Sequence, residues 1–265
     1  MARMTRLLIA LAFLLPFGAP SAEDIVILST RGGVTQSYLL SSPAAGKARA
    51  VAVLFPGEAG RVDLERETAR TLLDSGNFLV RSRRLFTGMG IAVAVMDAPS
   101  DQSYGMRDEF RLGGPHAEDI GRVVLDLKSR FPGLPVFLVG TSRGAISAAA
   151  AGSRLGNKVV DGVALTATPF LASKQRPGLN GFDFSSIPVP LLFVHHVDDG
   201  CDSTPYSAAK RLADRYPVVS VSGGLPAQSK PCEPMSAHGF LGREADAVEV
   251  IAKWMLKQPY PLKIN

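Results

Sequence analysis

The chain has 265 residues, 46% of them hydrophobic, which is enough for one large α/β core of the size that a single domain routinely has. Its formal net charge of +5 includes Arg3 and Arg6, which lie in an N-terminal segment that we expect to be removed. The remaining charges are scattered rather than gathered in a long run, so the composition gives no support to nucleic acid as a partner.

The first 22 residues have the pattern of a secretory signal peptide. Two arginines precede an apolar run at residues 7–15, and small residues at 18–22 follow it. Because the apolar run is too short to span a bilayer stably, we expect cleavage between Ala19 and Glu23 and no stable membrane span afterwards; a retained anchor is the alternative. Residues 23–265 are then expected to form a single exported domain, periplasmic or secreted, in an oxidising compartment.

Three strands are predicted near the start of that domain. Residues 24–28 and 34–40 have strand character, and the turn signal at 31–33 predicts a hairpin at the antiparallel edge of a sheet. Residues 50–55 form an unbroken apolar strand that ends in the glycine-rich sequence Pro56-Gly57-Glu58-Ala59-Gly60. The backbone amides of such a loop, directly after an interior strand, can face a ligand.

The following segment, residues 61–90, has mixed helical character and a polar surface. It contains the cationic cluster Arg81, Arg83 and Arg84. We expect these arginines on a solvated helix face, and attraction of an anionic substrate is the alternative.

Strands and helices alternate through the middle of the chain. The pattern predicts a buried strand at 91–96, an amphipathic helix at 115–130, an apolar strand at 136–139 and a helix of small residues at 145–151. This alternation predicts parallel strand pairing with right-handed crossovers.

The last part of the chain continues this pattern. It predicts strands at 159–166, 191–196 and 218–221, helices at 206–216 and 241–256, and a polar tail at 258–265. The connection at 167–190 is too short for a separate domain. It contains Phe170, Phe182 and Phe184, which either cover one side of a pocket or pack onto the domain beneath them.

The sequence Gly140-Thr141-Ser142-Arg143-Gly144 lies between a predicted strand and a predicted helix. A serine at the apex of such a turn is held in a strained conformation that lifts its hydroxyl above the carboxyl ends of the strands. The flanking glycines remove side chains that would clash there. We therefore interpret Ser142 as a nucleophile; a tight connection with a buried serine is the structural alternative.

A serine nucleophile needs a base, and the chain has four histidines. His238 lies just before the final predicted helix, in a loop from which its side chain can reach over the sheet toward Ser142. His195 and His196 end a strand, where adjacent side chains point to opposite faces and no further ligand cluster accompanies them, so we expect no metal site and no cofactor. His116 starts an amphipathic helix and is expected to be structural.

With their order of serine, acid and histidine, these residues resemble the α/β-hydrolase superfamily over nearly all of the mature chain. The resemblance implies a mostly parallel central sheet with helices on both faces and no large cap domain. It also implies a catalytic acid in the loop after residues 191–196. Asp199 is favoured there, Asp198 is its close rival and Asp202 is third; the structural alternative is a pair of aspartates that stabilise the turn.

The resemblance further implies an oxyanion hole made of two backbone amides. These are the amide of Arg143, directly after the nucleophile, and the amide of Glu58 in the glycine-rich loop, with Ala59 as the alternative to Glu58. The sequence departs from the family here, because Phe55-Pro56-Gly57 replaces the His-Gly often found in that loop.

Cys201 and Cys232 lie between the implied acid and base along the chain, since Cys201 follows Asp199 and Cys232 precedes His238. In an exported protein two cysteines are expected to pair. The disulfide would tie the loop that carries Asp199 (the acid loop) to the loop that carries His238 (the histidine loop). Two unpaired buried thiols are the alternative.

Together these features predict an exported serine hydrolase that cleaves a small or medium ester by acyl transfer. An amide or acyl-peptide substrate is the next candidate, because the fold hosts several such activities. A non-catalytic protein of the same fold, which binds a small molecule or a partner in the cleft, is the rival from another class.

Overall fold

The structure is a computed structural model that describes residues 22–44, 46–64, 76–173 and 176–265. The predicted signal peptide lies outside these ranges except for Ala22, so it stays a prediction. Part of the predicted helical segment 61–90, at residues 65–75, also lies outside the described residues.

The described strands form one nine-stranded sheet with the order β1-β2-β4-β3-β5-β6-β7-β8-β9. The strands are β1 (Ala22–Arg31), β2 (Val34–Ser42), β3 (Ala50–Phe55), β4 (Ile91–Met96), β5 (Val136–Thr141), β6 (Gly162–Thr166), β7 (Leu191–His196), β8 (Val218–Val221) and β9 (Lys263–Ile264). β1, β2 and β4 pair antiparallel, which confirms the predicted hairpin edge, and all other pairs are parallel. The carboxyl ends of β3, β5, β6 and β7 therefore meet at one rim of the sheet.

Seven α-helices are assigned within the described ranges. They are α1 (Phe78–Arg81), α2 (Arg83–Gly88), α3 (Asp108–Leu112), α4 (Gly114–Arg130), α5 (Arg143–Leu155), α6 (Tyr206–Lys210) and α7 (Glu244–Met255). Three short 3-10 turns lie at Ser100–Gln102, Phe184–Ser186 and Ala237–Gly239. None of these helices is long and apolar enough to cross a membrane.

The core lies on both faces of the sheet. Alternate residues of β3 point to opposite sides: Val51 and Val53 pack with α4, α5 and α6, whereas Ala52 and Leu54 pack with α1, α2 and α7. Every residue of β3, β4, β5 and β7 is buried. This double coverage explains why these strands are continuous apolar runs rather than alternating ones.

Several predicted boundaries are wrong. The strand predicted at 159–166 begins only at Gly162, the helix predicted at 206–216 ends at Lys210 and continues as turns, and α7 is shorter than residues 241–256. The tail is not simply polar coil, since β9 pairs parallel with β8 and adds a strand beyond the one predicted to be last. A strand of two residues has no periodicity, so its pairing partner alone defines it.

The predicted solvated arginine face is also wrong for two of its three members. Arg83 is fully buried and forms an ion pair with Glu23 at 2.9 Å, and Arg81 forms one with Glu244 at 2.9 Å. Only Arg84 is about half exposed. The partners of Arg83 and Arg81 lie 60 and 163 residues away in sequence, so the local pattern carried no sign of them.

The connection between β6 and β7 packs onto the domain beneath it. Phe170 stacks on His195 with ring centroids 5.3 Å apart, and Phe184 packs edge-to-face on Phe193 at 5.2 Å. Phe182 is half-buried against Phe184. The same three phenylalanines also line a surface cavity of about 330 Å³, so both alternatives for this segment hold in part.

Candidate active site

Ser142 lies in the sharp turn between β5 and α5. Its φ and ψ are 51° and −130°, a conformation that non-glycine residues rarely adopt and that persists only where the surroundings impose it. The Ser142 amide donates to the Thr166 carbonyl at 3.0 Å. A Cβ at Gly140 would collide with the Gly144 carbonyl, and a Cβ at Gly144 would collide with the Phe55 carbonyl. The two glycines therefore permit the turn, and the predicted strand, turn and helix are confirmed.

His238 lies in the 3-10 turn Ala237–Gly239, and its ring is held at one end. Nδ1 is 3.0 Å from Asp199 Oδ2, and the His238 amide donates to Ser236 Oγ at 3.2 Å. A carboxylate can only accept, so in the neutral imidazole Nδ1 carries the hydrogen and Nε2 is the acceptor. Nε2 is buried and has no hydrogen-bond partner among the described residues. His238 and Ser142 line the same small cavity.

The structure brings Asp199, rather than either neighbouring candidate, to His238. The Asp199 side chain is fully buried, whereas Asp198 and Asp202 are exposed. Its Oδ1 accepts from the Cys201 amide at 3.0 Å, and its Oδ2 accepts from Thr204 Oγ1 at 2.8 Å. These two donors fix the orientation of the Asp199 carboxylate relative to the His238 imidazole.

Thr204 is a site residue that the sequence analysis missed. Besides bonding Asp199, its Oγ1 is 3.3 Å from His238 Nδ1, so it contacts both members of the pair. Its position, five residues after Asp199, follows from the turn that connects β7 to α6. A hydroxyl in the loop after a proposed acid was the one available signal.

Arg81 holds the loop that carries His238 in place. Its Nη2 donates to the Gly239 carbonyl at 2.6 Å and pairs with Glu244 at the start of α7. Phe240 packs on Phe78 with ring centroids 4.9 Å apart. The imidazole therefore sits on a segment held by both charge and packing.

The predicted disulfide is present. Cys201 and Cys232 are bonded, with their Cα atoms 4.6 Å apart, and the described ranges contain no free cysteine. Cys201 immediately follows the segment that carries Asp199, and its amide bonds that carboxylate. Cys232 lines the small cavity beside Ser142. The bond therefore joins the acid loop to the histidine loop at the edge of the cleft.

Replacing both cysteines by serine is expected to lower the free energy of unfolding by about 3–4 kcal/mol, because the bond closes a 31-residue loop of the unfolded chain. The double substitution also frees the acid and histidine loops, so we expect activity to fall at temperatures below the unfolding transition. Urea unfolding and ester hydrolysis measure the two effects. A thiol titration is the control: two free thiols in the denatured, unreduced wild-type protein would contradict the pairing.

The two residues predicted to supply oxyanion donors lie beside Ser142. Glu58 lines the small cavity with Ser142, and Glu58, Ser142 and Arg143 line an adjoining cavity of about 250 Å³. Arg143 begins α5, so its amide has no acceptor within the helix and lies at the positive end of the helix dipole. The arrangement places two backbone segments around Ser142.

The other histidines are engaged elsewhere. His195 accepts from the Thr168 amide at 3.1 Å, and burial lowers its pKa to about 3, so it is neutral. His196, the next residue, instead contacts the Gly223 carbonyl at 2.8 Å and packs near Phe240. Burial likewise lowers the pKa of His116 to about 3. Across the described ranges, no group of three or more His, Cys, Asp or Glu side chains is arranged to hold a metal ion.

No family model and no curated protein sequence matches the chain. Solved structures with the same architecture do. An α/β serine hydrolase without a lid from Xanthomonas campestris has a TM-score of 0.57 at 16% identity, covering 92% of this chain and 98% of that one. The esterase domain of a Rhodothermus marinus protein has a TM-score of 0.56 at 19% identity, with coverages of 89% and 99%.

A third similar structure is larger. A puromycin-hydrolysing peptidase from Mycobacterium tuberculosis has a TM-score of 0.59 at 17% identity, and the match covers 96% of this chain but 43% of the peptidase. Likeness at such low identity shows the fold and leaves the activity to be argued from the site. The chain has the fold of the α/β hydrolases, which confirms the fold class expected from the sequence.

Proposed function

We propose that this protein is an exported serine hydrolase that cleaves a small or medium carboxylic ester through an acyl-enzyme intermediate. One observation carries the proposal. The imidazole of His238 is bonded to Asp199 through Nδ1, while its buried Nε2 is unpaired among the described residues and shares a cavity with Ser142, which lies in a strained turn. A buried acceptor without a partner is costly, so it is expected where a substrate or nucleophile completes it.

In the proposed mechanism His238 Nε2 accepts the proton of the Ser142 hydroxyl as Ser142 Oγ attacks the ester carbonyl. Asp199 stabilises the imidazolium that forms. The amides of Arg143 and Glu58 hold the negative oxygen of the tetrahedral intermediate. The imidazolium then gives its proton to the leaving alcohol. Water, deprotonated by His238 Nε2, attacks the carbonyl of the acyl-Ser142 ester. The imidazolium returns that proton to Ser142 Oγ as the acid leaves, which restores the free serine and the neutral imidazole.

The size of the proposed substrate comes from the cleft. The cavity of about 250 Å³ beside Ser142 combines apolar Pro169 and Leu171 with the charged side chains of Arg176 and Glu233. This volume suits a small or medium acyl or alcohol group. Because one structural neighbour is named a peptidase, an amide is the second candidate substrate.

Covalent labelling tests whether the serine is activated. We expect a fluorophosphonate probe to label the purified protein at Ser142 and nowhere else, because phosphonylation needs a nucleophile with a working base. Paired aryl esters and anilides of the same acyl group then rank ester against amide cleavage. Absence of labelling in folded protein would favour a binding protein of this fold.

Sequencing the N-terminus of the protein recovered outside the cytoplasm tests export, with cleavage expected between Ala19 and Glu23.

A further inference from the structure

The glycine-rich loop holds a non-glycine residue in a conformation that usually requires glycine. The Gly60 amide donates to the Gly57 carbonyl at 2.9 Å, which closes a four-residue turn with Glu58 and Ala59 at its centre. Glu58 has φ 53°, whereas Ala59 is not among the residues with positive φ. This is the pattern of a type II′ turn, whose first central position strongly favours glycine. Something other than local preference must therefore hold Glu58.

Two guanidinium groups bind the carbonyl of this strained residue. Arg111 Nη2 and Arg143 Nη1 each donate to the Glu58 carbonyl oxygen at 3.1 Å. A carbonyl oxygen has two lone pairs, and hydrogen bonds from charged donors are stronger than those between neutral groups. Both acceptor positions of this oxygen are therefore occupied by cations.

Both arginines are themselves fixed. Arg111 is 1% exposed and also donates to Ser147 Oγ at 3.0 Å. Arg143 donates from Nε to Asp108 Oδ1 at 2.7 Å and from Nη2 to the Met106 carbonyl at 3.0 Å. The buried Asp108 carboxylate also accepts from the Gly178 amide at 3.1 Å. The loop is thus tied to α3, to α5 and to the connection after β6.

Arg111 is an unusual residue to bury, because the two atoms that accept its hydrogen bonds, Ser147 Oγ and the Glu58 carbonyl oxygen, are both neutral. Burial and the nearby positive charge of Arg143 lower the pKa of Arg111 to about 9. A buried cation without a carboxylate directly against it is unfavourable for folding. Groups kept at such a cost concentrate at functional sites.

We propose that Arg111 and Arg143 form a clamp on the Glu58 carbonyl. This clamp positions the glycine-rich loop, which carries the proposed oxyanion donor, for catalysis. The inference rests on the proposed function. Because the peptide unit is planar, holding the Glu58 carbonyl also fixes the direction of the Ala59 amide in the same plane. The clamp prevents this peptide from flipping and keeps the turn, including the Glu58 amide, in its strained form. Arg111 and the Arg143 side chain are therefore positioning residues that act through the backbone.

The test replaces Arg111 by methionine, which keeps length and apolar contact but removes the donors. We expect kcat for an aryl ester to fall about 10- to 100-fold, since displacing a catalytic group by about 1 Å has effects of that size. KM should stay nearly unchanged. Affinity for a trifluoromethyl ketone, whose tetrahedral adduct places an oxyanion in the hole, should fall by the same factor as kcat/KM.

Rescue by glycine separates positioning from a general loss of structure. In the Arg111→Met background, Glu58→Gly removes the strain that the clamp opposes, so it should recover at least part of the lost kcat. The same change in the wild-type background should bring no gain, which makes the two substitutions non-additive. If the methionine variant does not fold, Arg111→Lys replaces it in the same test. One ammonium group cannot reproduce the guanidinium contacts to both the Glu58 carbonyl and Ser147 Oγ, so kcat should again fall.

Arg49→Met is the matched control, because Arg49 also donates to a backbone carbonyl, that of Met89 at 3.0 Å, but it lies just before β3, at the opposite end of that strand from the glycine-rich loop. It should leave kcat unchanged. Two results would overturn the clamp but leave the proposed function standing. In the first, fluorophosphonate labels the wild-type protein and the Arg111 variants keep their kcat. In the second, kcat and the unfolding temperature of the Arg111 variants fall and Glu58→Gly restores none of the lost kcat. If the folded wild-type protein is not labelled at all, the proposed function fails and the clamp fails with it.

Discussion

Replacing Ser142 by alanine is expected to reduce kcat by about 10⁶-fold, to the level that substrate binding and oxyanion donors sustain without a nucleophile. This substitution is expected to leave the backbone around residue 142 unchanged. Alanine can occupy the same strained backbone position as serine. The hydrogen bond from the Ser142 amide to the Thr166 carbonyl does not involve the hydroxyl. The fold should therefore survive, and only the attacking atom is lost.

The measurement is hydrolysis of an aryl acetate by purified protein, together with fluorophosphonate labelling and circular dichroism. Ser153→Ala is a suitable control, because Ser153 lies on the same helix and bonds Ser186 Oγ at 2.9 Å, away from the cleft. That variant should retain its activity. Unchanged turnover by Ser142→Ala would mean that hydrolysis comes from another group, and the acyl-enzyme mechanism would be wrong.

The central strands could be predicted from sequence because burial on both faces leaves a strong local mark. The run at 136–139 and the small residues at 145–151 require a strand against a closely packed helix, and β5 and α5 lie there. Glycine at 140 and 144 was equally informative, since only the absence of a Cβ lets these backbones approach. Where the constraint is local, the pattern is sufficient.

The details of the site were harder, because they depend on contacts between distant parts of the chain. Asp198 and Asp199 are adjacent and chemically identical, and only the turn after β7 decides which carboxylate meets His238. Burial of Arg83 and Arg111 is likewise decided by partners far along the chain, whereas their local pattern suggested solvent or carried no signal. Hydrogen bonds of this kind have no periodicity that a single sequence could reveal.

Asp199→Asn is expected to lower kcat about 10⁴-fold while leaving the fold intact. The reason lies in the donors around the carboxylate. The Cys201 amide donates to Oδ1, so an asparagine must keep its carbonyl oxygen there. Its NH₂ group then faces His238 Nδ1 and Thr204, whose hydroxyl can turn to accept. An NH₂ donor at Nδ1 forces the ring proton onto Nε2, and Nε2 can then no longer accept the proton of Ser142.

Asp198→Asn is the matched control, because Asp198 lies in the same loop and is exposed. Asp202→Asn tests the third candidate acid, which is also exposed but lines the cavity beside Ser142. Each should keep kcat within about twofold, since the carboxylate that bonds His238 is that of Asp199 and an exposed carboxylate contributes little. Any effect of Asp202→Asn is expected on KM, because Asp202 lines the proposed substrate cavity. Steady-state kinetics on one ester compares all three variants, and thermal unfolding confirms that each is folded. A large loss in Asp198→Asn with a small one in Asp199→Asn would reassign the acid. Equal small losses in all three would mean that the imidazole needs no carboxylate to hold its tautomer, and that the bond between Nδ1 and Asp199 serves folding alone.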